Sequence, residues 1–309
     1  MRKLILIIFL FLVGQTFLSV DNYSQQLYIG TGKSIGNTTS GMSLNVGWFL
    51  SVPSLNIFSS QQKNWSVEAK AYFDRMTNKP ANDTLTWIAE FIDSLVANGI
   101  WAKRDEIWLH ANNNISNAML GLKGYKNCTD SGTIFVAYRG IKSNGTSTFA
   151  NTHYNPVTDG IHYTLNSCGF SIYINSYGIK QYYQFGAQAS SGYTILYITP
   201  TTTYYTNNIS ASHQSIANTT TRGFIFSDRT SAFVTTLYVN GSPLTPSSTA
   251  AAIMPNLNFY ICCMNNSGTA SIFDDSRIAY TDVGGSLTPQ DNTNYYSCLY
   301  RLLTHLGAN

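Results

Sequence analysis

The side chains able to do acid–base or nucleophilic chemistry in this 309-residue chain are few. The glutamates are Glu68, Glu90 and Glu106, all before residue 125, and seven aspartates follow that point: Asp130, Asp159, Asp228, Asp274, Asp275, Asp282 and Asp291. Retaining glycoside hydrolysis needs two carboxyl groups ~5 Å apart, one of them with a raised pKa. No pair of these aspartates has the alternating spacing that sets two carboxylates on one strand face. The five histidines (His110, His153, His162, His213, His305) show neither HExxH nor H-x-H spacing, and no G-x-S-x-G elbow occurs. His153 and His162 are the pair that could meet at a metal, although surface or core roles suit them better. Gly30-Thr31-Gly32-Lys33-Ser34 ends like a phosphate-binding loop, but Leu27 stands where that loop requires its first glycine.

Tyrosine is what the chain offers instead. Eighteen of its 21 tyrosines occur from Tyr125 onward, where there is no tryptophan. Sugar rings present apolar CH faces that stack on aromatic rings, and their hydroxyls need Asn, Ser, Thr or Tyr partners. In Tyr182-Tyr183, Tyr204-Tyr205 and Tyr295-Tyr296, neighbours on a strand would face opposite sides, one towards core and one towards solvent. One tyrosine from each of the first two pairs, with Asn207 and Asn208 close by to receive hydroxyls, forms the expected ligand-binding set. The competing reading is that tyrosine is simply a good strand former with a wet hydroxyl end.

Composition bounds the rest. Only 11% of residues are charged and the net charge is +3 without any cluster. Phosphate neutralisation needs a concentrated basic footprint, so nucleic acid is excluded as a partner. A hydrophobic content of 44% excludes a disordered polyelectrolyte. The five cysteines (Cys128, Cys168, Cys262, Cys263, Cys298) are odd in number and lack CxxC spacing, so buried free thiols are expected, with at most one disulfide after export.

These residues must be positioned by four segments. Residues 1–20 carry Arg2 and Lys3 before an apolar run from Leu4 to Val13, the pattern of an export signal and too short for a spanning helix. Residues 21–64, rich in Gly, Ser and Asn, read as short strands and loops suited to attachment or self-association. Residues 65–124 read as helical up to about 110: Ser66 caps one helix, Asn82 or Asp83 a second, and Gly99 stops it. Over 125–309 the period falls to two, with strands expected at 133–138, 170–175, 181–185, 193–198, 223–227, 233–239, 257–264, 270–273 and 277–280. Asn240-Gly241 signals a tight hairpin turn, and a last helix starts at Thr288-Pro289 with Tyr296, Leu299, Leu303 and Leu306 as its buried stripe.

This order of motifs resembles the concanavalin A-like (laminin G-type) jelly-roll domains of bacteriophage virion proteins and related secreted bacterial proteins. The resemblance rests on Asn98-Gly99-Ile100-Trp101, Thr133-Ile134-Phe135, Arg139-Gly140, Asn144-Gly145-Thr146, Asn151-Thr152, Leu237-Tyr238-Val239-Asn240-Gly241, the run from Phe273 to Ala279, and the run from Leu287 to Gly307. It implies a mainly β fold, a two-sheet antiparallel jelly-roll sandwich preceded by two helices and closed by a C-terminal helix. Lectins of this fold often use Ca²⁺, for which Asp274 and Asp275 are the candidate donors. Endoglucanases of this fold carry Glu-x-Asp-x-Glu on one strand, which this chain lacks. The functional expectation is a non-enzymatic module, exported or on a virion surface, that binds glycans or a host surface. The alternative is a structural virion component in contact with other virion proteins, and a glycoside hydrolase is a distant third. We expect no hydrolysis of β-glucans or agarose; turnover abolished by Asp274→Asn or Asp228→Asn would recover the hydrolase reading.

Overall fold

The computed structural model describes residues 16–20, 27–31 and 65–309, apart from 181, 190–191, 211–212 and 218–219. The chain divides into two units, Met1–Gln61 and Gln62–Asn309. In the first, β1 (Thr16–Val20) and β2 (Leu27–Thr31) pair antiparallel, so Gly30 and Thr31 belong to a strand. The rest of the expected signal and attachment segments lies outside the described residues.

The second unit opens with α1 (Val67–Asp74), α2 (Asn82–Ala97) and β3 (Arg104–Leu109). Short elements follow: α3 (Ile115–Ala118), β4 (Thr129–Asp130), β5 (Ile134–Val136), β6 (Gly140–Lys142), β7 (Ala150–Asn151) and α4 (Pro156–Asp159). Longer strands come next: β8 (Cys168–Ser176), β9 (Tyr183–Gln188), β10 (Tyr193–Ile198), β11 (Thr202–Ile209), β12 (Gln214–Ala217), β13 (Gly223–Arg229) and β14 (Thr235–Val239). Four brief strands, β15 (Ser242–Pro243), β16 (Tyr260–Ile261), β17 (Met264–Asn266) and β18 (Thr269–Ser271), lead to β19 (Arg277–Gly284) and α5 (Pro289–Leu306). The inner sheet runs β15-β14-β13-β8-β19-β6-β5, with β3 also paired to β19. The outer sheet runs β12-β11-β10-β9-β16-β7-β4, with β17 and β18 attached beside β9. Pairing within these sheets is antiparallel except where β17 runs parallel to β9. The architecture is mainly β, a two-sheet antiparallel sandwich with a C-terminal helix, as the sequence led us to expect.

Alternation along β8 explains the layering. Phe170, Ile172 and Ile174 face the outer sheet, where Phe170 stacks on Phe185 at 5.0 Å, while Tyr173 joins the cluster under the helices. The inner sheet is therefore buried on both faces, one against the outer sheet and one against α1, α2 and α5. Each fully buried Leu, Ile or Phe in these two clusters contributes about 1.5–3 kcal/mol.

Local signals set the boundaries. Ser66 Oγ accepts from the Ala69 N–H at 3.2 Å, and Gly99 ends the α2 region at φ +68°. Thr288 and Asp291 form a reciprocal capping box at the start of α5. Asn240 and Gly241 both take positive φ (50° and 77°), the tight turn joining β14 to β15.

Four expectations need correction. Residues 104–109, read as part of a helical region, form β3, because Arg104, Asp105 and Glu106 find buried partners across the sandwich. The cap of α2 is Ala81, and Asn82 is already helical. The strand expected over 257–264 breaks at Cys262, which takes φ +68°. Tyr295, not Tyr296, sits fully inside beneath α5. The five cysteines are free, and all but Cys298 are buried. No described helix is long and apolar enough to cross a membrane.

A buried polar network pins α5 to the inner sheet. Arg104 Nε lies 3.1 Å from Asp282 Oδ2, and its Nη atoms donate to Gly285 O (2.6 Å) and Gly169 O (2.7 Å). Asp282 also accepts from Ser171 Oγ at 2.8 Å and from the Tyr295 hydroxyl, which in turn meets the Tyr280 hydroxyl. Burial opposes the charge on Arg104, but Asp282 and the two phenols outweigh it and raise its pKa. Asp228, from β13, accepts from the Leu287 N–H at the approach to α5.

Burial pushes the Asp228 carboxyl up to about 8, against the pull of Arg104 and the Leu287 N–H. A carboxyl whose pKa is raised on folding favours the native state below its unfolded value near ~4 and loses that contribution as pH rises through the folded one. We expect Asp228→Asn, which cannot ionise, to gain stability relative to the parent as pH rises from about 4 to about 8. Paired urea titrations across that range check this; a constant difference would refute the buried, proton-binding carboxyl.

Candidate functional site

The outer face of the outer sheet carries an aromatic row. In register, Tyr197 on β10 stands opposite Tyr183 on β9 and Tyr204 on β11. Ring centroids are 5.2 Å apart for Tyr183–Tyr197 and 5.0 Å for Tyr197–Tyr204, the latter stacked at 14°. All three are half-buried. His213, exposed just before β12, closes the group: its ring lies 6.2 Å from Tyr183, 6.0 Å from Tyr193 and 6.5 Å from Tyr204. Its Nε2 is 3.4 Å from the Tyr183 hydroxyl, and partial burial lowers its pKa, so it is neutral at pH 7. Tyr260, paired opposite Gly186 on the other side of β9, and Phe149 extend the aromatic surface, their rings 4.6 Å apart.

A bulge puts Tyr183 on this face. Phe185 pairs with Leu196 and Tyr183 with Tyr197, so Gln184 is the extra residue. In a regular strand with Gln184 paired, Tyr183 and Phe185 would point the same way, into the core. Gln184 is fully buried and fills the gap: its Oε1 accepts from the Ile198 N–H (2.8 Å) and its Nε2 donates to Asp274 Oδ2 (2.8 Å). Asp274 also accepts from the Ser276 N–H (2.8 Å) and the Tyr182 N–H (3.3 Å). Burial raises its pKa to about 6. Asp274 is thus a positioning residue for the platform.

The expected ligand set divides. Tyr183 and Tyr204 lie on the open face, and Tyr182, 44% exposed, flanks them. Tyr205 is the core partner of its pair, 1% exposed between the sheets, and does not reach solvent. Asn207 and Asn208 are also fully buried, so neither can receive a ligand hydroxyl. Asn207 Nδ2 donates to Cys168 O (3.3 Å) and Ser227 O (3.2 Å), bridging the two sheets. Asn208, at φ +58°, accepts from the Tyr163 hydroxyl (3.1 Å) and donates to Thr164 O (3.2 Å) and Leu165 O (3.1 Å). Both satisfy polar groups where β11 departs from regular pairing with β10.

The two aspartates named for Ca²⁺ are engaged by donors of the chain itself. Both oxygens of Asp274 already accept backbone or side-chain donors, and Asp275 Oδ1 accepts from the Lys180 N–H at 2.8 Å. His153 and His162 are apart in role as well: His153 Nε2 meets Thr129 Oγ1 (2.7 Å) and His162 Nδ1 meets Asp105 Oδ1 (2.8 Å). Among the described residues, no group of three or more His, Cys, Asp or Glu side chains could hold a metal. Sequence reasoning missed Tyr193, Tyr197 and His213. Alternation within the strand at 193–198 was the available signal, since Tyr193 and Tyr197 are four apart and share a face.

No protein-family model matches this chain, and no curated protein matches it. Among solved structures, a Trypanosoma rangeli sialidase mutant displaying trans-sialidase activity superposes with a TM-score of 0.50 at 12% identity, covering 71% of this chain and 38% of that one. The botulinum neurotoxin serotype D binding domain gives a TM-score of 0.45 at 12% identity, covering 63% of this chain and 52% of that one. The receptor binding domain of the neurotoxin mosaic serotype C/D gives 0.46 at 12%, covering 63% and 50%. The chain therefore spans under two fifths of the sialidase and about half of each neurotoxin domain. The sialidase likeness is one of β-sandwich fold and carries no activity with it.

The geometry separates two kinds of tyrosine. Tyr205→Ala opens a cavity between the sheets and is expected to cost about 3–5 kcal/mol of stability. Tyr197→Ala, on the open face, should cost about 1 kcal/mol or less. Chemical denaturation of both variants checks the contrast, and equal losses would contradict the assignment of faces.

Proposed function

We propose that this protein is a non-enzymatic recognition module that binds glycans across the platform of Tyr183, Tyr197, Tyr204 and His213. The observation that carries the reading is the register-aligned row of Tyr183, Tyr197 and Tyr204, whose three rings are all partly exposed. Aromatic rings offer flat apolar area at low conformational cost, and their hydroxyls, with the neutral His213 imidazole, supply hydrogen bonds at the rim. The ligand class is an uncharged carbohydrate chain, because no Asp, Glu, Lys or Arg belongs to the aromatic group. The buried carboxylates support a binding role over hydrolysis. Glu106, for example, is taken up by the N–H groups of Ile107, Lys123, Tyr125 and Lys126 at 2.8–3.0 Å.

We infer further that the protein works outside the cell, as an exported protein or on a virion surface, with residues 21–64 as its attachment segment. The basic and apolar N-terminal pattern and the charge-poor composition support this placement.

Glycan-array binding of the full chain is the direct test. Loss of one stacked ring should weaken binding by about 1–3 kcal/mol, by analogy with stacking of bases on aromatic side chains. Tyr197→Ala and Tyr204→Ala are therefore expected to abolish or sharply reduce array signals while leaving the melting temperature close to that of the parent. Binding unchanged in both variants would reject the platform as the site.

A further inference from the structure

A second concave site lies on the opposite side of the sandwich, where α5 meets the inner sheet. It is a cavity of about 320 Å³ lined by Tyr173, Arg222, Gly223, Asn240, Tyr296 and Tyr300, among others. That volume is at the lower end of small-molecule pockets, which start near ~300 Å³. Its walls come from β8, the start of β13, the β14–β15 turn and the outer side of α5. Gly223 (φ +100°) is required at this spot, since a Cβ there would fall 2.3 Å from Asn240 Oδ1.

Three side chains of the cavity, Arg222, Tyr173 and Asn240, keep unused donors. Arg222 Nε donates to Asn175 O at 2.9 Å, which fixes the guanidinium, and its Nη atoms make no hydrogen bond or ion pair with described residues. Tyr173 is only 4% exposed, and its hydroxyl has no hydrogen-bond partner among the described residues. Burial holds that phenol protonated, with Arg222, Tyr296 and Tyr300 as its charged or titratable neighbours. Asn240 Oδ1 accepts from the Phe224 N–H at 2.9 Å, so its Nδ2 donor is left over. The rings of Tyr296 and Tyr300 stand 5.5 Å apart as an aromatic wall, Tyr300 being 43% exposed. No Asp or Glu lines the cavity, and Asn309, which does, ties its side chain to Thr304 Oγ1 at 2.9 Å.

We propose that this cavity binds a carboxylate-bearing sugar unit of the hexuronate class, with the carboxylate on the Arg222 fork and the ring against Tyr296 and Tyr300. A planar guanidinium with two free Nη groups matches a carboxylate in bidentate fashion. The Tyr173 hydroxyl is a second donor at that end. Asn240 Nδ2 and the remaining phenol hydroxyls match the several hydroxyls of one pyranose. A bare inorganic anion would leave the aromatic wall unused, and a neutral sugar would leave the arginine without its partner. The site is independent of the tyrosine platform on the outer sheet, so either can fail without the other.

Calorimetric titration of the full chain with D-glucuronate, D-glucose, acetate and inorganic phosphate tests the assignment. Glucuronate is expected to bind about tenfold or more tightly than glucose, acetate or phosphate. Arg222→Gln, at an exposed position, should lower glucuronate affinity about tenfold or more, in line with the loss of a hydrogen bond to a charged group. Tyr173→Phe, which keeps the ring and removes only the hydroxyl, should lower it by a smaller factor. Tyr197→Ala should leave it unchanged. Glucuronate binding no tighter than glucose would overturn the proposal, as would equal binding of acetate or phosphate, or an Arg222→Gln affinity equal to the parent's. Loss of glucuronate binding in Tyr197→Ala would move the ligand to the platform and overturn it as well.

Discussion

The ion pair between Arg104 and Asp282 is the interaction around which the layers of this protein are assembled. Arg104 begins the strand that follows the helices, and Asp282 lies in the central strand of the inner sheet. Both side chains are fully out of water. A buried pair of this kind adds little net stability compared with apolar residues of the same shape, but losing one partner strands the other charge at a cost of about 3–5 kcal/mol. Its value here is geometric. Gly169, Gly285, Ser171 and Tyr295 complete the hydrogen bonds of the pair, so a strand, a loop and the last helix are held at one depth and one register. The helical layer closes one side of the stack, and the tyrosine row lies on the other side, partly exposed.

The same logic governs the other acidic groups. The chain has few charges, and several of its carboxylates lie inside, where they take the place of regular backbone pairing. Asp105 accepts from the N–H groups of Ile161, His162 and Tyr163 and from the Tyr154 hydroxyl, at 2.7–3.1 Å. Those hydrogen bonds hold its pKa low against the opposing effect of burial. Glu106 and Asp274 do the equivalent work for two other irregular loops. Carboxylates engaged in this way are anchors for loops and bulges.

Much of the fold was legible because its signals are local. Alternation in β8, β10 and β13, the Asn240-Gly241 turn and the Thr288 cap each depend on a few adjacent residues. What could not be read depends on partners far along the chain. Arg104-Asp105-Glu106 look like a solvated stretch until Asp282, His162 and the turn at residues 123–126 are brought to them. The candidate site was half legible for a related reason. That one tyrosine of a pair faces outward holds at Tyr204-Tyr205, where Tyr204 does, but parity alone cannot say which one, because a single inserted residue reverses the parity of a strand. Gln184 does this in β9, so Tyr183 joins the row while Tyr182, just before the strand, is exposed as well. Asn207 and Asn208, amides just after Tyr204-Tyr205, suggest a ligand rim by type and position, whereas an irregular pairing gives them buried carbonyls and hydroxyls to satisfy.

The tyrosine row crosses three strands at right angles to their run, so its pitch is not a property of the tyrosines. Neighbouring strands are held ~4.8 Å apart by the peptide hydrogen-bond ladder, and the ring spacings of 5.2 and 5.0 Å follow that lattice. The backbone thus acts as a ruler with fixed graduations, and the side chains only decide what is written at each mark. Evolution of this surface can exchange one aromatic for another, or for a polar group, and so change the chemistry that is read. The distance between readings stays the same, which favours ligands that repeat along their length over compact ones of the same composition.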